Sequence, residues 1–239
     1  MKHGSQQEIG AQGRLGHSMA LPRLQSQAVN VLVLGSFNPR IFEPLWLVRN
    51  GLVPEDEVGG AERELLDQEF ARIVLPWATV VVLGERLQVE STGDVVNASQ
   101  VRDLVVGVLR LLPHTPVSGL SIQHGAHIPL GSVEQWHAVG DKLAPKELWS
   151  DILVHPGLLD LAMQGERSDD LDGFMRVRIQ PSALVHPGIF MNVNNQFQTK
   201  AQEGGEPARQ AADQLGRIWN EAEKSVEAIR STLLERLID

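Results

Sequence analysis

Pro156-Gly157-Leu-Leu-Asp-Leu-Ala-Met-Gln164, Asp172-Gly-Phe-Met-Arg-Val-Arg-Ile-Gln180 and Gly188-Ile-Phe-Met-Asn-Val-Asn-Asn-Gln-Phe197 each alternate apolar with polar side chains between turn signals. A period of two predicts antiparallel strands. From about Glu206 to Asp239 the period changes. Ala208, Ala211, Leu215, Ile218, Ala222, Val226, Ile229, Leu233 and Leu237 recur at steps of three and four, the stripe of an amphipathic helix. A helix laid over antiparallel strands makes the fold α+β: largely antiparallel sheet or sheets, packed by helices and closed by a long C-terminal amphipathic helix.

Alternation assigns each strand residue a side. Leu159, Leu161, Met163, Met175, Val177, Ile179, Ile189, Met191 and Val193 form the expected dry face. Asp160, Gln164, Arg176, Arg178, Gln180, Asn192, Asn194 and Gln196 form the other. Such a face is commonly just solvated. Two arginines flanked by amides are also the chemistry that holds an anionic ligand or an acidic segment of a partner, so Arg176, Arg178, Asn192 and Asn194 are the candidate surface. The apolar seam from Ala208 to Leu237 is longer than one small sheet needs. It either crosses its own sheet or lends Leu215, Ile218, Val226, Ile229 and Leu233 to a second chain, as in a dimer.

Upstream, residues 1–27 are rich in Gly, Gln and Ser and read as an N-terminal arm. Val29-Asn-Val-Leu-Val-Leu34 reads as a strand buried on both faces, ending at Gly35. Residues 54–69 are acidic and read as a solvated run ending in a helical turn. Ala71 to Val82, interrupted at Pro76, and Arg86 to Ser91 read as strands. Asn97 to Leu112 is a helix capped by Asn97 and stopped by Pro113, and Val117 to His124 returns as a strand. Ser132 and Gln135 stand at capping-box spacing before a short helix. Lys146 to Leu153, bracketed by Pro145 and Pro156, fits either a helix or a strand. The organisation is therefore an arm (1–27), an α+β body (28–198) and a linker with its helix (199–239). The body is one unit or two packed halves, 28–130 and 131–198.

Gly35-Ser-Phe-Asn-Pro39 resembles the opening of the nucleotidylyltransferase superfamily, G-x-F-[DN]-P followed by H-x-G-H. The positions of His, Gly and His hold Ile41, Glu43 and Pro44. Without imidazoles to stabilise the phosphate in transfer, the stretch reads as a tight strand-to-helix turn, which uses Gly and Asn-Pro anyway.

The formal charge of −9 and the absence of Lys/Arg runs argue against binding nucleic acid through phosphates. The chain has no cysteine, which removes disulfides, thiolate metal sites and thiol nucleophiles, and no apolar run of membrane-spanning length. It reads as soluble and cytoplasmic. Of eight histidines only His124 and His127 are close together, and they are the low-weight metal candidates. No phosphate loop, nucleophile elbow, dinucleotide fingerprint or kinase signature occurs, and no cofactor is expected.

The whole-chain order of elements is similar to that of a sporadically distributed, uncharacterised group of prokaryotic proteins. That resemblance implies a prokaryotic cytosolic protein, compatible with a mobile-element or defence-associated system, and transfers no catalytic residue. The expected function is a non-catalytic binding or assembly protein whose partner is another protein or a second copy. The alternatives are a metal-dependent enzyme built on histidines and a degenerate nucleotide-binding protein.

Overall fold

The computed structural model describes residues 22 and 24–238 except 59–61, 68, 93–97, 168, 170 and 200–204, and of residues 62–67 the backbone alone. Most of the arm, the cap residue Asn97 and most of the linker lie outside the described residues. The elements in order are β1 (Ser26–Gly35), α1 (Pro44–Arg49), α2 (Glu55–Val58), β2 (Glu62–Asp67), β3 (Phe70–Val74), β4 (Ala78–Leu83), β5 (Arg86–Ser91) and α3 (Ala98–Leu111). Then follow β6 (Val117–Pro129), α4 (Val133–Leu143), β7 (Leu161–Glu166), β8 (Gly173–Pro181), β9 (Gly188–Gln198) and α5 (Pro207–Ile238).

All strands join one nine-stranded sheet in the order β2-β3-β4-β5-β1-β6-β9-β8-β7, and every neighbouring pair is antiparallel. The chain makes the same journey twice. From β1 it passes through helical turns into a meander whose last strand, β5, pairs with β1, and then into α3. From β6 it passes through α4 into a second meander whose last strand, β9, pairs with β6, and then into α5. The two passes meet at the β1–β6 pair. The repetition therefore turns over between α3 and β6.

Among the described residues, helices cover one face of the sheet only. There Val29, Val31 and Val33 of β1, Leu87 and Val89 of β5, and Leu120 and Ile122 of β6 are buried beneath α3 and α5. The side chains between them, Asn30, Leu32 and Leu34, are half-exposed on the open face. This corrects the expectation that β1 is buried on both sides: an antiparallel sheet with one helical layer leaves its second face to solvent.

Two apolar clusters lie under the helices, one beneath each pass of the chain. α5 spans both, with Ala208 to Ala222 on the first and Leu234 and Leu237 on the second. Leu215 and Val226 are fully buried by their own chain, and Ile218, Ile229 and Leu233 are half-buried. A helix of 32 residues is about 48 Å long at 1.5 Å per residue. It runs over β6 and β9, with its first half above Leu120 and Ile122 and its end above Ala126 and Ile128, so its own sheet occupies it along most of that length. Of the seam offered as a contact with a second chain, Leu215 and Val226 are thus used within one chain.

Three local expectations change. The acidic stretch before Phe70 opens on a helical turn, α2, and its later part, expected as a helical turn, is an edge strand, β2. Ala71 to Val82 is a β3–β4 hairpin turning at Pro76 and Trp77, where Trp77 Nε1 donates to Glu57 Oε2 at 2.6 Å and ties α2 to the turn. The segment from Lys146 is neither helix nor strand beyond a 3-10 turn at Lys146–Leu148.

Candidate functional site

The helical layer stops short of β7. Leu159 and Met163, assigned to the dry face, are 82% and 64% exposed. Their face assignment follows the alternation, since Leu161 pairs with Ile179 and Met163 with Val177. Among the described residues no helix is packed substantially over β7: α4 and α5 contact one another, and α5 contacts β6 and β9.

α4 is placed by its cap. Ser132 Oγ accepts from the Gln135 amide at 3.2 Å, as the sequence spacing predicts, and Gln135 Oε1 reaches one residue beyond the cap to accept from the Gly131 amide at 2.7 Å. Lys142 Nζ donates to the Arg236 carbonyl at 3.2 Å and fixes α4 against the end of α5. After α4 the chain turns back through Pro145. Lys146 Nζ lies 2.7 Å from Asp141 Oδ1, and the amides of Ile152 and Leu153 both donate to the Trp149 carbonyl, at 2.9 and 2.8 Å. His155 takes φ 51°, the left-handed region a side chain rarely occupies.

This segment stands beside α4 and the ends of β8 and β9 and encloses a cleft of about 940 Å³. Trp136, His137, Ile152, Leu153, His155 and Leu158 line it. Trp136 packs against His137 and edge-on to His186, with ring centroids 5.1 Å apart in both pairs. Among the described residues, seven of the eleven exposed large apolar side chains fall between Leu148 and Met163, with Val154 the most exposed at 89%. Ser150 lines the cleft, but its hydroxyl donates to the Glu147 carbonyl at 3.2 Å and is not paired with an imidazole.

The candidate polar surface is brought together as expected. Arg176 pairs with Asn194 and Arg178 with Asn192 across β8 and β9, all on the open face. Its cations are already engaged. Arg178 makes a two-pronged contact with Asp160 at 2.8 and 2.6 Å, and the hydrogen bonds from Arg178 hold the Asp160 carboxyl below its ordinary pKa. Arg176 donates twice to Gln164 Oε1, at 3.3 and 2.7 Å, and lies 5.2 Å above the Phe174 ring. Asn194 Oδ1 accepts from Ser121 at 2.7 Å.

His124 and His127 are not brought together. Residues three apart on a strand point to opposite faces. His127 lies on the open face, its Nδ1 2.8 Å from Ser182 Oγ and its ring against Phe190. Burial lowers its pKa from the ordinary histidine value. His124 lies beneath the helices, 9% exposed and 6.3 Å from the Trp219 ring. Burial, and then the Arg230 charge, lower its pKa to about 4. The pair is therefore no common ligand set, and among the described residues no three His, Asp, Glu or Cys side chains converge to hold a metal ion.

The Gly35–Pro39 turn is filled by its own protein. The amides of Gly35, Ser36 and Phe37 donate to the carbonyls of Glu85, Pro116 and Gly84 at 3.0, 2.9 and 2.8 Å, and Asn38 Oδ1 accepts from the Arg40 amide at 3.1 Å. A phosphate would find these donors taken.

No protein-family model and no curated protein matches the chain. No helix among the described residues is long and apolar enough to cross a membrane.

Proposed function

We propose that this chain is a non-catalytic binding or assembly protein that takes an extended, apolar segment of a partner protein along β7 and into the cleft beside α4. One observation carries the reading: the exposed apolar side chains from Leu148 to Met163 run directly into β7, a sheet edge that is left unpaired among the described residues.

Sheet edges present unpaired amides and carbonyls, and proteins ordinarily blunt them with lysine, proline, a bulge or a cover. β7 reads Leu-Ala-Met-Gln-Gly-Glu, with no charge before Glu166, and pairs with β8 without a register shift. A partner strand added there gains main-chain hydrogen bonds, and its alternate side chains meet Met163 and Leu161 on the face that the helices leave bare. The cleft would take an apolar or aromatic anchor between Trp136 and Leu153. Contiguous apolar exposure of this kind marks contact surfaces more often than solvated ones.

The test is selection from a random peptide library displayed on phage against the immobilised full chain, followed by hydrogen exchange with a selected peptide. Peptides with alternating apolar residues should emerge, protect 161–166 and lose binding to the Met163→Lys variant. Selected peptides that protect a different surface, or a library that yields no binder, would overturn the reading.

A further inference from the structure

Away from the cleft, the described residues enclose a second cavity, of about 260 Å³, between β1, β6, the start of α3 and α5. His124 faces it from β6, Gln27 from β1, and Glu223 and Glu227 from successive turns of α5. His124 is 9% exposed, and among the described residues neither ring nitrogen has a hydrogen-bond partner. Buried polar atoms are paired in folded proteins, so an imidazole left with both nitrogens open beside a polar cavity calls for an occupant.

Charge decides the sign of that occupant. Glu223 and Glu227 bring two negative charges. Arg230 Nη1 lies 3.3 Å from Glu227 Oε2 and compensates one of them. The amino end of α3 at Ala98 offsets a further fraction. The residual charge is negative. His124 titrates at about 4, so near neutral pH its ring is uncharged and offers one nitrogen as an acceptor. Carboxylate oxygens and an imidazole lone pair make an acceptor-rich pocket, too large for a bare ion and without three converging metal ligands among the described residues.

We propose that this cavity binds a small organic monocation carrying N–H donors, a primary ammonium or a guanidinium, with Glu223 and Glu227 at its mouth and the His124 imidazole at its floor. The site is independent of the partner surface at β7, and nothing in its test depends on that surface.

The experiment is NMR of the full chain labelled with ¹⁵N-histidine, titrated at constant ionic strength with methylammonium or guanidinium. Tetramethylammonium, which has charge but no donor, is the matched control. The His124 ring nitrogens should shift saturably with a donor-bearing cation and not with the control. Glu223→Gln should weaken that response by about tenfold or more, the scale of losing one charged hydrogen bond. His124→Gln should keep the far-ultraviolet spectrum and lose the cation's thermal protection. A response shared by tetramethylammonium, one unchanged in Glu223→Gln, one given by a divalent metal alone, or none at all would overturn the proposal and leave ordered water as the occupant.

Discussion

His124 and His127 sit on one strand and on opposite sides of the sheet, His124 beneath the helices against Trp219 and His127 on the open face against Phe190. Two residues that look like a ligand pair in the sequence thus answer to different surroundings, and the difference is testable through protons.

Stability should fall with acidity in a window that belongs to His124. Its folded pKa, about 4, is below the ordinary 6.5, so the unfolded chain binds the additional proton and stability rises with pH between those values. The contribution is complete above about 6.5 and is lost as pH falls towards 4. Its upper bound is about 3 kcal/mol at 1.36 kcal/mol per pKa unit. Urea titrations from pH 7.5 to 4.5 should show this slope in the native chain and a clearly shallower one in His124→Leu. His127, whose shift has the same sign, supplies the remainder. Equal slopes in both proteins would show that His124 is not buried as described.

Leu215 makes a second case. It is fully buried in the first apolar cluster, on the face of α5 that its own sheet occupies. Leu215→Ala should cost about 2–5 kcal/mol, the range for a core truncation that leaves a cavity. The loss should not vary with protein concentration, because the contacts are within one chain. A denaturation midpoint that rises with concentration in the native protein and not in the variant would place the seam in an interface instead.

The strands of the last third, the α+β class and the Ser132 cap were legible because each rests on local spacing: period two, period 3.6 and a three-residue step. The edge strand β2 was not, since four charged residues around adjacent Leu65 and Leu66 show no alternation to announce a strand. The cleft was missed for the opposite reason. Leu148, Ile152, Leu153 and Val154 are apolar, but they obey neither period, and bracketing prolines left the segment without a secondary structure to argue from. Sidedness was legible along β7 as well; whether a helix covers that side depends on where α4 and α5 reach across the sheet, which no spacing within β7 encodes.

The exposed corner gives a prediction on stability that separates it from the core. Leu159→Lys and Met163→Lys replace side chains already in solvent, so each should leave the folding free energy within about 0.5 kcal/mol of the native chain. Met191, on the same face two strands inwards and fully buried, is the control: Met191→Lys should fail to fold. Substantial loss of stability from either surface change would mean that the corner is covered in the native protein.

The last prediction concerns the turn that resembles a nucleotide site. Its amides are spent on Glu85, Pro116 and Gly84, and a Cβ on Gly35 would stand 2.4 Å from the Pro116 carbonyl oxygen, a backbone atom that cannot swing away. The glycine is there to let two chain segments touch. Gly35→Ala should therefore destabilise the fold by about 1–3 kcal/mol, the scale of overpacking. Asn38→Ala should cost roughly 1 kcal/mol through loss of the bond from the Arg40 amide, with ATP or CTP present or absent. A melting temperature raised by either nucleotide in the native chain and unchanged in Asn38→Ala would require the amides to be released for phosphate. The turn would then be a binding site held closed by Pro116, and not the chain-to-chain contact that its hydrogen bonds describe.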